Sequence, residues 1–444
     1  MAPPRAVQLN EANAFLKEHP EVQYVDLLIT DMNGVVRGKR IERASLHKVY
    51  EKGINLPASL FALDINGITV ESTGLGMDIG DSDRICFPIP NTLSKEPWQK
   101  RPTAQLLMTM HERDGAPFFA DPREVLRQVV EKFDAMGLTI CAAFELEFYL
   151  FDKALKGGLP QYPRDDLSGD ADDQPNMHIE RLSRFAEVLD DITETARLQG
   201  IDTTVITAEI GPGQFEINFS HNADPMQAAD WSALFCRVTR GVALKYGHRA
   251  SFMAKPYLQY PGSGMHIHVS LYDEAGNNLL ARDEQRPLRH AVAGCLSLLP
   301  ELMPIYAPNH NSYRRFGAQV NSASKASWGF EDRDACVRIP ESDARNLRLE
   351  FRLPGADANP YLMMASILAG IHHGIRLQLD PGAPIEGNGY AQATEHLPTQ
   401  WSAAIHALEH SEWAREAFGE QFLKVFLAVK RAEYRQFMGE VGEQ

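Results

Sequence analysis

Apolar and ionisable residues alternate in four short stretches of this chain. In Phe144-Glu145-Leu146-Glu147-Phe148 the period of two predicts a β-strand with both carboxylates on one face and the apolar side chains on the other. Met265-His266-Ile267-His268-Val269 aims two imidazoles one way by the same rule, and Arg348-Leu349-Glu350-Phe351-Arg352 aims a carboxylate. Phe215-Glu216-Ile217 is a fourth instance, preceded by Glu209 and the tight turn Gly211-Pro212-Gly213.

Around these stretches the pattern predicts an α+β chain. A short polar helix at residues 8–17 leads to a strand at 22–30, and Asn33-Gly34 turns it into a second strand at 35–41. A helix at 42–52 and short strands up to about residue 111 complete a small α+β domain over 1–115, leaving 116–444 as a larger one. There Asp121-Pro122-Arg123-Glu124 supplies a cap, a helix-starting proline and a capping-box glutamate to an amphipathic run that stops at Gly137. Further helices are expected at 179–199, 225–246 and 360–377 and as a C-terminal set over 399–438, with strands between them, and a surface loop or flap at 156–176.

Composition narrows the function. With 44% hydrophobic residues in 444, the chain has ample material for a folded core. Its 44 Lys and Arg against 59 Asp and Glu leave a net charge of −15, with no basic run dense enough to track phosphates, which argues against nucleic acid. No window approaches a membrane span. The five cysteines are widely spaced and form no CxxC pair, the pattern of reduced thiols in the cytoplasm.

A half-solvated strand also alternates. Solvated faces, however, use Lys, Thr and Ser as freely as Glu, whereas these four carry only carboxylate, imidazole and guanidinium. Glutamates crowded this way repel unless cations neutralise them. A set rich in carboxylates, poor in nitrogen and free of thiolate favours a hard ion such as Mg²⁺ or Mn²⁺. Arginines alongside suggest anionic substrates, which guanidinium binds in a two-pronged fashion. ATP and an amino acid satisfy both demands.

In chain order, AAFELEFYLFD, AEIGPGQFEI, GSGMHIHVS, NSYRRF, ACVRIP and RLEFRLPGADANPY resemble the successive signatures of the glutamine synthetase family. The resemblance implies an N-terminal β-grasp domain, a catalytic domain on a curved antiparallel sheet with flanking helices, and hexameric rings, single or stacked, with active sites between subunits. Carried over by motif, Glu147, Glu209 and Glu216 match ligands of one metal, and Glu145, His266 and Glu350 those of a second. His268, Ser270 and Arg348 match nucleotide contacts, Arg333 an arginine at the transferred phosphate, and Gly262, Arg315 and Arg352 positions that hold glutamate. The implied reaction phosphorylates the γ-carboxylate of glutamate with ATP and displaces the phosphate with an amine.

Two positions depart from ammonia-using members. Where those carry a Glu after the NSYKR-type motif this chain has Asn321, and where they carry an Asp in the N-terminal domain it has Pro57. Losing both acids weakens the pull on a small cation and leaves a roomier pocket. The expected substrate is a bulkier primary amine, either a polyamine such as putrescine or an apolar or aromatic monoamine. An ammonia-dependent enzyme is the alternative. A non-catalytic ring should have lost metal ligands, and all six are present.

Overall fold

The structure is a computed structural model that describes residues 5–152, 176–316, 326–386 and 397–439. Asn321 and nearly all of the segment expected as a flap lie outside the described residues.

The chain up to His111 builds one sheet. Strands β1 (Tyr24–Thr30), β2 (Val36–Glu42), β3 (Ile54–Pro57), β4 (Asp83–Pro88), β5 (Ser94–Lys95) and β6 (Thr103–His111) run in the order β2-β1-β6-β4-β3, with β5 also on β6. The expected hairpin forms, with β1 and β2 antiparallel from Tyr24 opposite Glu42 to Thr30 opposite Val36. Asp31 closes its turn by accepting the N–H groups of Asn33 and Val35. Gly34 sits at φ +72°, where a side chain would be strained. Helices α1 (Arg5–Glu18) and α2 (Leu46–Lys52) pack against each other beside this sheet.

A second sheet carries the alternating segments. It comprises β7 (Thr139–Asp152), β8 (Thr203–Ala208), β9 (Gln214–Phe219), β10 (His248–Ser251), β11 (Met265–Tyr272), β12 (Trp328–Phe330), β13 (Val337–Ile339) and β14 (Leu349–Phe351). The order is β12-β13-β14-β11-β7-β9-β8, with β10 on the far end of β7. The sheet is mixed rather than purely antiparallel, because β12 and β13 pair in parallel. The chain doubles back between these three-residue strands through Glu331, whose left-handed φ of +54° reverses it.

Helices α3 (Pro122–Asp134), α6 (Pro225–Lys245) and α9 (Pro360–Leu377) each begin with proline after Asp121, Asp224 or Asn359, whose side chain accepts a first-turn N–H. The expected capping-box role of Glu124 is not seen: its carboxylate pairs with Arg127 instead. The helix expected at 179–199 is two, α4 (Ile179–Arg184) and α5 (Ala186–Leu198). It breaks at Phe185, which leaves helical geometry with its ring against Phe215. Helices α7 (Arg286–Ser297) and α8 (Leu299–Tyr306) were not anticipated. Prolines punctuate that stretch, but Pro287 and Pro300 occupy first-turn positions where no N–H is needed. α9 is the centre of the helical layer, packed on α3, α6, α7 and α8. It meets α7 so closely that a Cβ on Gly294 would lie 2.0 Å from the Gly370 carbonyl. The chain ends in α10 (Trp401–His410), α11 (Glu412–Phe418) and α12 (Glu420–Gly439). Among the described residues no helix is long and apolar enough to cross a membrane.

One buried polar cluster ties α12 to the first hairpin. Lys430 is 0% exposed and Glu433 4%. The Lys430 ammonium donates to Glu433 (2.9 Å) and to Asn33 Oδ1, while Glu433 Oε1 accepts from Asn33 Nδ2 (2.7 Å) and the Ile65 N–H (2.8 Å). Removing one member strands a buried charge, so Glu433→Ala should lower unfolding stability by about 3–5 kcal/mol. Denaturant unfolding checks this, and a loss under about 1 kcal/mol would mean that water replaces the carboxylate.

Candidate active site

The pleat delivers what the alternation predicts. Phe144, Leu146 and Phe148 of β7 are fully buried on one face, and Glu145 and Glu147 project from the other. On β11 Met265, Ile267 and Val269 enter the core, which leaves His266, His268 and Ser270 on the face of the glutamates. Register then converges the acids: Glu145 lies opposite His266, Glu147 opposite Glu216 of β9, and Glu350 of β14 opposite His268. Glu209 follows β8, held by its N–H bond to the Gln214 carbonyl.

Glu145 is the hub. Its carboxylate meets His266 Nδ1 at 3.1 Å, His268 Nε2 at 3.0 Å and the Asn218 amide at 2.7 Å. The Arg348 Nε–H donates to His268 Nδ1 at 3.3 Å, so His268 carries its proton on Nε2, facing Glu145. His266 Nδ1 also lies 3.9 Å from both Glu216 and Glu350. Glu350 is 1% exposed and paired with Arg338 (2.7 Å) and Arg352. Glu147 accepts the Gly264 N–H (2.8 Å) and the Gln214 amide (3.2 Å).

Beside this face opens a cleft of about 480 Å³, lined among others by Glu147, Glu209, His266, Arg315, Arg333 and Arg352, and by Pro261, Gly262 and Asp334. Arg315 enters from the turn-like helix His310–Phe316, which Asp357 holds by accepting from Asn309 and Ser312. Its stem passes Gly262 so closely that a Cβ there would lie 2.7 Å from Arg315 Cγ and 2.4 Å from the Ala254 carbonyl.

Electrostatics splits the carboxylates. Burial disfavours ionisation of Glu145, but hydrogen bonds from His266 and His268 prevail and hold its pKa well below the usual range. Burial also opposes ionisation of Glu350, yet Arg352 and the histidines bring its pKa down to about 2. At Glu216 the balance is reversed: burial, then repulsion from Glu145, Glu147 and Glu209, outweighs the pull of Arg352 and pushes its pKa up to about 9. Burial and Glu147 push Glu209 up to about 7. Such crowding is relieved by a divalent cation. Two overlapping sets place their ligand atoms within 4.8 Å of one another, Glu145 with Glu216 and His266, and Glu145 with His268 and Glu350. Oxygen-rich and thiolate-free, they suit a hard ion. A third group, His406, Glu409 and His410 on α10, is unlike them, since Arg431 already neutralises Glu409 and Arg415 donates to the Glu409 carbonyl.

The structure therefore brings together on one face and its cleft every site residue read from the sequence except two. Pro57 ends β3 in the first sheet and does not line this cleft, and Asn321 is outside the described residues. Ser270 is buried beyond His268 with its hydroxyl 3.5 Å from that of Tyr272. The expected ligand partition is blurred, because His268, read as a nucleotide contact, falls in a close set with Glu145 and Glu350. Sequence reasoning passed over Gln214 and Asn218, although both share the face of Glu216 at a spacing of two. It gave no site role to Arg338, which donates to Glu350 at 2.7 Å, and no sign of Arg181, which donates to the Glu209 and Gly211 carbonyls (2.9 and 3.1 Å) and fixes the Glu209 turn.

This sheet, with its acidic face and arginine-lined cleft, is placed by comparison with known proteins: residues 119–444 match the family described as "Glutamine synthetase, catalytic domain", so the chain belongs to the glutamine synthetase family. It is 42% identical to the gamma-glutamylputrescine synthetase of Escherichia coli strain K12, over 96% of this chain and 91% of that one. It is 32% identical to the glutamate–isopropylamine ligase of a Pseudomonas species, over 97% and 95%. Among solved structures, the ADP complex of GmaS superposes with a TM-score of 0.84 at 28% identity, over 97% of both chains.

Proposed function

We propose that this chain is an ATP-dependent ligase that joins the γ-carboxylate of glutamate to an organic primary amine through a γ-glutamyl phosphate. The observation that carries the reading is the cleft itself, where three arginines face a carboxylate-crowded sheet. Two divalent ions, Mg²⁺ or Mn²⁺, would be held by Glu145, Glu147, Glu209, Glu216, His266 and Glu350; when bound they would neutralise phosphate oxygens and act as Lewis acids. His268, Ser270 and Arg348 serve the nucleotide side. Arg315 and Arg352 hold the glutamate carboxylates, Gly262 admits the Arg315 stem, and Arg333 meets the transferred phosphoryl group. Catalysis on this reading is positioning and charge stabilisation in a half-buried site.

Two things support an organic amine. Pro57 and Asn321 replace acids that ammonia-using members carry, and the named relatives include ligases of putrescine and isopropylamine. Because Pro57 lies away from the cleft of its own chain, the reading includes a ring in which a neighbour's first sheet completes each site. The test is phosphate release from ATP with glutamate and Mg²⁺ across ammonia, diamines, polyamines and alkyl and aromatic monoamines. At least one organic amine should exceed ammonia by tenfold or more in kcat/KM. Preference for ammonia would make the chain a glutamine synthetase in activity, and silence with every amine would make it a non-catalytic member.

A further inference from the structure

The tight turn between β12 and β13 carries adjacent charges of opposite sign. Asp332 accepts the Asp334 N–H at 2.8 Å, and the Cys336 carbonyl accepts the Arg352 N–H at 2.9 Å, so the turn is tied to the strand that supplies Arg352. Arg333 and Asp334 at its tip both line the cleft. The other acids there have duties: Glu147 is hydrogen-bonded on the sheet, and Glu209 stands in the crowded carboxylate set. Asp334 is half-buried, and among the described residues its carboxylate accepts no hydrogen bond and forms no ion pair. Burial and the neighbouring Asp332 make it harder to ionise, with Arg352 working the other way, so a cation at this point gains an unengaged partner.

We propose that Asp334 anchors a second, non-reacting ammonium group of the amine substrate, which makes the substrate class diamines and longer polyamines. The inference rests on the ligase reading above. It follows from a difference between the two ends of such a molecule. The reacting nitrogen must lose a proton before its lone pair can attack an acyl phosphate, and a carboxylate beside it would stabilise the protonated, unreactive form. The distal nitrogen keeps its charge throughout, so a carboxylate there stabilises ground and transition states alike and is read in KM. A monoamine with an apolar tail would instead leave Asp334 facing hydrocarbon, an unpaired acid in a half-buried place.

The test compares 1,4-diaminobutane with 1-aminobutane, which share a carbon chain and differ in the second ammonium. In the wild type kcat/KM should favour the diamine. In Asp334→Asn that ratio should fall at least tenfold, equivalent to about 1.4 kcal/mol, with the loss carried by KM for the diamine and partly restored in Asp334→Glu. Equal losses with both amines, or none with either, would overturn the assignment of Asp334. A wild type that prefers the monoamine would overturn the diamine class, whereas one that releases phosphate only with ammonia would sink the organic-amine reading on which the class rests. Mg²⁺-ATP binding to Asp334→Asn, followed by its thermal shift, separates a lost amine contact from a collapsed site: retained binding supports the proposal, and lost binding overturns it.

Discussion

Glu145→Gln should lower ATP-dependent phosphate release roughly a thousandfold, about 4 kcal/mol of barrier, at saturating Mg²⁺, glutamate and amine. The size follows from geometry. Glu145 is common to both close ligand sets, and both histidines rest on its oxygens at 3.0 and 3.1 Å. Glutamine matches the shape but carries no charge and offers one carbonyl oxygen, so both sets lose their shared anion. Substitution at Glu209 should cost less, because that residue lines the cleft but belongs to neither close set. The fold should survive, since Phe144 and Leu146 hold β7 from the opposite face. A coupled phosphate assay decides: activity within tenfold of the wild type would mean that Glu145 orients the histidines without contributing to charge stabilisation.

The acidic face was legible in the sequence because a strand has only two sides. A spacing of two at Glu145 and Glu147, or His266 and His268, commits both side chains to one side before any partner is known. What the spacing does not encode is register. That Glu147 stands opposite Glu216, and Glu350 opposite His268, comes from how strands distant in sequence align, and nothing local specifies it. The α7–α8 pair was hidden because prolines read as breakers, yet Pro287 and Pro300 stand in first turns and α8 accommodates Pro304 in its interior. Arg338 pairs with Glu331 and with Glu350, which makes one side chain both structural and adjacent to the acidic face, and a lone arginine in a short strand does not announce either partner. Arg181 works through two backbone carbonyls, a role with no residue-type signature.

Metal and proton should compete for this site, in a direction the carboxylates fix. In the metal-free chain the pKa values of Glu209 and Glu216 rise from an ordinary 4.5 to about 7 and about 9. Between those limits the folded state holds more protons than the unfolded one, so stability is fully present below about pH 4.5 and is lost as pH rises through the two folded values. Glu350 acts oppositely: its pKa is depressed to about 2, so its contribution is present above 4.5 and lost as pH falls toward 2. A divalent cation bound to the folded chain displaces the extra protons and relieves the repulsion among Glu145, Glu147, Glu209 and Glu216. Stabilisation by Mg²⁺ should therefore grow with pH from 6 to 9, with the gap in Tm between Mg²⁺ and EDTA widening by about 5 °C or more. Calorimetric titration in buffers of different ionisation enthalpy should record proton release on Mg²⁺ binding at pH 7. A gap constant across that range, with no protons released, would show that Glu209 and Glu216 are already ionised before the metal arrives and that neighbouring arginines, rather than the ion, hold the acidic face together.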